Sequence, residues 1–234
     1  STSVGSIDSA GSVNTAAGFS IIGYTGTGSA GTIAHGLGAA PAMIIFKNYV
    51  RNTNWLVYHK AIAATKFLYL NVTDAEGTDS GHFNDTEPTS TVFSVGGANG
   101  TNYSGENLIA YCFAEKQGYS KFGSYTGNNN ADGTFVHLGF KPAFVMTKMT
   151  NGAKSWMMYD NKRFPSNPIN AYLTLNADTN AAEAYGTVYP IDFLSNGFKF
   201  RTDTSEVNGT ENHIYMAFAE NPFVTSTGVP ATAK

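Results

Sequence analysis

The fold class this sequence predicts is all-β: two tandem antiparallel β-sandwich (jelly-roll-like) units. Three observations predict it. Apolar runs rich in β-branched and aromatic residues are short and are punctuated by Gly, Asn, Asp or Pro about every 8–12 residues, the spacing of strands and turns. Helical periodicity is nowhere sustained beyond a turn or two. The chain also repeats itself internally, and a repeat dictates architecture.

Length and composition suit such a plan. The 234 residues are enough for two ordinary domains, each able to bury a core. Charged residues make up only 13% of the chain, about half the usual share, so Asn, Thr, Ser and Gly must supply the polar surface. That balance is typical of extracellular or particle-surface β-proteins. A net charge of −3 with 14 basic residues leaves no Lys/Arg stripe, which argues against nucleic acid as a partner. No apolar run approaches the roughly 20 residues of a membrane helix, so no membrane insertion is expected. The chain opens at Ser1 without a signal-like segment and reads as a piece or processed product of a longer protein. The single cysteine, Cys112, excludes an internal disulfide framework and a cysteine-based zinc cluster.

The repeat is visible in four blocks. "YTGTGSAGT" through "IIFKN" from Tyr24 corresponds to "YTGNNNADGT" through "FVMTKM" from Tyr125. "NWLVYH" (Asn54–His59) corresponds to "SWMMYD" (Ser155–Asp160), and "FLYLNVT" (Phe67–Thr73) to "AYLTLNADT" (Ala171–Thr179). "GENLIAYCFAE" (Gly105–Glu115) corresponds to "TENHIYMAFAE" (Thr210–Glu220). These blocks set the expected boundaries: an extended arm over 1–17, one unit over 18–118, a second over 119–223, and a flexible tail over 224–234. About seven or eight strands are expected per unit. In "ENLIAYCFAE" the bulky Ile109, Tyr111 and Phe113 share one strand face and are expected to cover the core, as are Ile214, Met216 and Phe218 in the second copy. "DTNAAEAYG" (Asp178–Gly186) is the best stretch for a short helix.

Comparing the copies separates what the fold needs twice from what is local. Gly26-x-Gly28-x-x-Gly31 has the spacing of a dinucleotide-binding turn, but no helix can follow it through "TIAHGLGAAP", and the next acid is Asp74. The second copy replaces its glycines with "GNNNADG", so the turn demands positive φ and not a phosphate. No cofactor is expected. His35 and His137 align, each without a second ligand at metal spacing, and are read as histidines bonding a turn backbone. The acidic loop Asp74–Glu87 has the oxygen density of a calcium site but no EF-hand order; it is read as a solvated loop, and no metal site is assigned. No catalytic residue is assigned either: there is no nucleophile elbow, and Glu115 and Glu220 recur without the facing carboxylate a glycosidase needs. Cys112 aligns with Ala217 and reads as a small core residue. Trp55/Trp156 and Tyr58/Tyr159 recur at identical spacing and read as packing. Asn-x-Ser/Thr sequons at Asn71, Asn84, Asn99, Asn102 and Asn208 are what chance gives in so Asn/Thr-rich a chain. Recognition is instead expected in loops unique to one copy: Tyr49, Arg51, His82, Phe83 and Tyr103 in the first, and Arg163, Phe164 and Tyr185 in the second.

The run "YCFAE…GYSKFGSYTGN…DG.FV..GF.P.FV", with "NWLVYH" and "SWMMYD", resembles a repeated domain of unknown function found in predicted tail-fibre and virion-appendage proteins of marine tailed bacteriophages. The resemblance covers nearly the whole chain. It implies a virion location, adhesion and homo-oligomers such as trimers, and it supplies no catalytic residues. The expected function is therefore a non-enzymatic appendage module binding a host-surface glycan or protein, in contact with other virion proteins. The alternatives are a purely structural or decorating virion protein and a polysaccharide depolymerase.

Overall fold

A computed structural model describes residues 4–163, 172–186 and 188–221. The chain is all-β with several antiparallel sheets and divides into two compact units. Ser1–Asn71 with Glu76–Glu115 form one; Val72–Ala75 with Lys116–Lys234 form the other.

The first unit runs β1 (Ser9–Asn14), β2 (Phe19–Thr25), β3 (Gly31–Ala34), β4 (Pro41–Asn48), β5 (Leu56–His59), β6 (Lys66–Tyr69), β7 (Gly77–Thr78), β8 (Val92–Val95) and β9 (Asn107–Ala114). Seven of these form one sheet in the order β1-β2-β9-β4-β5-β6-β7, while β3 and β8 form a two-stranded sheet. The core lies between them: Ile33, Phe93 and Val95 of the small sheet pack with Ile22, Tyr24, Ile44, Phe46, Leu56 and Tyr58 of the large one. Phe93 meets Phe46 edge-on at 5.4 Å, a favoured aromatic geometry. The segment expected to be a mere arm contributes to this core. Ile7 is buried in it, and the backbone amides of Ser6 and Ile7 donate to Thr32 O.

The second unit runs β10 (Ser120–Thr126), β11 (Phe135–His137), β12 (Pro142–Met149), β13 (Met157–Asp160), β14 (Tyr172–Asn176), β15 (Ala184–Gly186), β16 (Ile191–Leu194), β17 (Gly197–Phe200) and β18 (Asn212–Ala219). Its sheets are β10-β18-β12-β13-β14-β15 and β11-β17-β16. Tyr125, Val136, Val145, Tyr159, Phe198, Phe200, Tyr215 and Ala217 fill the core between them.

Several expectations change. Each unit has nine strands among the described residues. The stretch Asp178–Gly186 contains no helix; Ala184–Gly186 pairs as a strand with Tyr172–Thr174. The helices among the described residues are three single turns: α1 (Ser80–Phe83) and α2 (Asn99–Asn102), both in segments expected to be loops, and α3 (Ser205–Asn208). The expected tail over 224–234 lies outside the described residues.

The core face of β9 is the opposite of the one its side-chain sizes suggest. Leu108, Ala110, Cys112 and Ala114 are buried in the core, while Ile109, Tyr111 and Phe113 lie on the other face of the sheet and are half-buried. The physical reason is volume. Phe46, Phe83, Phe93 and Tyr24 already fill the interlayer space, so the central strand crossing it must present small side chains. Burial also pushes the Cys112 thiol up to about 12, which leaves it unreactive at neutral pH.

The glycine turn after β2 has a specific support. The Asn102 side chain, wholly buried, accepts from Thr27 N at 2.7 Å and donates to Ser29 O at 2.6 Å and Gly96 O at 2.7 Å. In the second unit buried Asn208 accepts from Asn128 N and Thr134 N, and donates to Asn130 O and Thr202 O. Both asparagines end a single helical turn, and both tyrosines before the loops reach into the same turns: Tyr24 Oη donates to Thr101 O and Tyr125 Oη to Val207 O. Positive φ holds at Gly28 (+73°) and at Asn129 (+49°). Gly26 is glycine for another reason, since a Cβ there would stand 2.2 Å from Tyr103 O.

Candidate functional site

Of the loop residues singled out by sequence, Tyr49, Arg51 and Tyr103 come together at one end of the first unit's large sheet. Asn48, the last residue of β4, organises them. Its buried side chain accepts from Val50 N at 3.0 Å and Arg51 N at 3.1 Å, which fixes the turn that follows, and its Nδ2 donates to Glu106 Oε2 at 2.6 Å. Arg51 grips the same carboxylate with two nitrogens, Nε at 3.0 Å and Nη2 at 2.6 Å from Oε1. Its guanidinium lies 3.9 Å from the centre of the Tyr103 ring. The bidentate pair and the stacking are the geometry for which arginine, unlike lysine, is suited. Its hydrogen bonds hold the Glu106 carboxyl below the usual carboxylate range.

This network braces an open concavity of about 580 Å³ lined by Lys47, Asn48, Tyr49, Val50, Arg51, Asn52, Trp55, Ile109 and Tyr111. Tyr49 and Val50 are the two most exposed large apolar side chains among the described residues, at 62% and 60%. Trp55 and Tyr111 lie nearly parallel, 6.3 Å apart and 20° between planes, and Lys47 Nζ stands 5.9 Å from the Trp55 ring centre. Lys47 also donates to Thr53 O, which holds the ammonium in place. Half-exposed rings beside amide and ammonium donors can take a ligand that has both apolar faces and hydroxyl or carbonyl groups.

Trp55 and Tyr111 line this concavity and were not among the loop candidates singled out by sequence. Trp55 recurs as Trp156, which is 1% exposed, and recurrence made both look like packing. The available signal was in the partner: Tyr111 of β9 stands where the matching stretch of sequence has Met216.

A second concavity, about 420 Å³, adjoins the first and is lined by Asp8, Ser9, Ala10, Gly23, Tyr24, Thr25, Tyr49 and Asn107. Tyr49 lines both.

The other sequence candidates lie elsewhere. His82 and Phe83 are buried, a correction to their reading as loop contacts. The single turn of α1, capped by Asp79 accepting from Gly81 N at 2.8 Å, directs them inward. Phe83 joins the core against Phe46 and Tyr58, and His82 meets Phe67 edge-on at 4.5 Å. Burial pulls the His82 pKa below its ordinary value. Arg163 is engaged by Asp160 and Glu183 and donates to Met158 O. Phe164 lies outside the described residues, and so does the side chain of Tyr185, whose backbone is in β15.

The acidic loop spends its carboxylates on separate partners. Glu76 pairs with Lys66, and Glu87 accepts from Tyr58 Oη and Ala64 N. No group of three or more metal-ligating side chains stands together among the described residues. Glu115 pairs with Lys60 and Glu220 with Lys141. His35 and His137 are not equivalent in structure. Ile33 pairs with Phe93 and Val136 with Phe198, so the register sets Leu138 in the place of His35. His35 is buried, with Nδ1 accepting from Leu37 N at 3.2 Å, while His137 is exposed.

No curated protein and no solved structure matches the chain. A family profile does match, over residues 1–222. The chain therefore belongs to the family described as Domain of unknown function (DUF7483).

Proposed function

We propose that the protein is a non-enzymatic binding module of a virion appendage, and that it attaches to a host-surface glycan through the first unit. The observation that supports this most is the half-exposed Trp55–Tyr111 pair beside Lys47. A ring face suits the C–H face of a pyranose, and amide and ammonium donors suit its hydroxyls. The Asn48–Glu106–Arg51–Tyr103 network holds the concavity's rim in one arrangement, and preorganisation lowers the entropic cost of binding. The virion location rests on the resemblance of the "YCFAE…GYSKFGSYTGN" run to tail-fibre proteins of marine tailed phages.

The test is a glycan array probed with the intact chain and with Trp55→Ala, alongside retention on whole bacterial cells. Retention by the intact chain and its loss in Trp55→Ala is the expected result. Failure of the intact chain on every glycan and every cell overturns the reading and leaves an architectural virion domain. Release of reducing ends from a retained polysaccharide would replace it with a depolymerase.

A further inference from the structure

We infer that the ligand is a linear polysaccharide lying across the strands, with subsites on both sides of Tyr49; this rests on the glycan reading above. Four neighbouring strands supply one row of residues on the face away from the core. Ala10 of β1 is opposite Gly23 of β2, Gly23 is opposite Ile109 of β9, and Ile109 is opposite Lys47 of β4. Three strand spacings cover about 14 Å, and Trp55 extends the row beyond Lys47. That track is longer than one sugar ring. The two concavities, sharing Tyr49, lie along it.

Gly23 gives the row its open floor. Its φ is not in the left-handed region, and a Cβ there would meet only Ala10 O at 3.7 Å and Leu108 O at 4.0 Å. Nothing in the fold requires glycine at this position, and a strand interior ordinarily disfavours it. A side chain would, however, stand up between Ala10 and Ile109 and divide the track. Both concavities carry the polar groups a polyhydroxylated chain needs: Asp8, Thr25 and Asn107 border one, and Asn52 and Lys47 the other. Arg51 is neutralised by Glu106, so among the described residues lining the two concavities the charges outside an ion pair are Asp8 and Lys47, one of each sign. A neutral or weakly charged chain fits this better than a densely sulfated one.

The experiment uses the intact chain and an oligosaccharide series, from monosaccharide to octasaccharide, cut from the best glycan on the array. Affinity is expected to rise at least about tenfold along the series and then level off, as each added subsite contributes binding energy. Gly23→Val should remove that gain for the long members and leave the shortest ones unchanged, whereas Trp55→Ala should weaken every member. Affinity independent of length, with Trp55→Ala still abolishing binding, overturns the extended track and leaves the single-site glycan reading intact. No binding at any length overturns both. A circular dichroism melt of Gly23→Val matching the parent secures the comparison.

Discussion

The same three residue types occupy corresponding places in the two units, with opposite outcomes. Ile109, Lys47 and Trp55 of the first unit are half-exposed and border a concavity. Ile214, Lys148 and Trp156 of the second are buried, at 1%, 0% and 1% exposure. Ile214 is opposite Lys148 just as Ile109 is opposite Lys47. Lys47 keeps its ammonium near the surface against a ring. Lys148 instead donates to three backbone carbonyls, of Met149, Gly152 and Thr73, the last in the four-residue segment that belongs to this unit. A buried ammonium is tolerable only when its three donors are used. The pattern Ile–Lys–Trp thus specifies a position in the sheet and says nothing about access. Access depends on the neighbours.

The comparison can be broken most directly at the tryptophans. Trp156→Ala should destabilise the second unit by about 3–5 kcal/mol, the usual result of emptying a large core site, while Trp55→Ala should leave chemical denaturation nearly unchanged and remove ligand retention. Equal effects of the two substitutions on stability would erase the distinction between an open and a closed row. The asparagine clamps should instead behave alike. Asn102→Ala and Asn208→Ala each strand several buried backbone groups and should each cost about 3 kcal/mol, read as a lowered melting transition of the unit concerned. A clamp that could be removed from one unit without effect would show that its loop is held by other contacts.

The lysines give a pH test. Burial lowers the Lys148 pKa from 10.5 to about 8. Between those values the unfolded chain holds a proton that the folded protein has released, so stability should rise with pH across that window. Lys148→Met should flatten this rise, and Lys47→Met should leave it in place; denaturation midpoints at two pH values inside the window decide it. The smallest expected effect is that of Gly23→Ala, within about 1 kcal/mol of the parent, because the added methyl meets only ordinary contacts.

Much of the fold was legible in the sequence, since alternation and turn residues identify strands whatever packs against them. The burial of β9 was not. Side-chain size assigned Ile109, Tyr111 and Phe113 to the core, but which face of a central strand is inward depends on the volume already supplied by Phe46 and Phe93 from other strands. The site was legible in part. Tyr49, Arg51 and Tyr103 stood out as loop residues peculiar to one copy, and they converge. His82 and Phe83 stood out for the same reason, and the single turn of α1 turned them inward. Trp55 was concealed by its own recurrence. Comparing two similar stretches of sequence passes over a residue that one unit buries and the other leaves half-exposed.

The buried clamps also bear on how the protein can be produced. Asn102-Tyr-Ser and Asn208-Gly-Thr are acceptor sequons for N-linked glycosylation, and a eukaryotic secretory host attaches its glycans before the chain has folded. A glycan on either amide would occupy the nitrogen that must donate to Gly96 O or Thr202 O. Secretion from such a host should therefore yield misfolded chains, and a bacterial cytoplasm is the suitable source for every experiment proposed above.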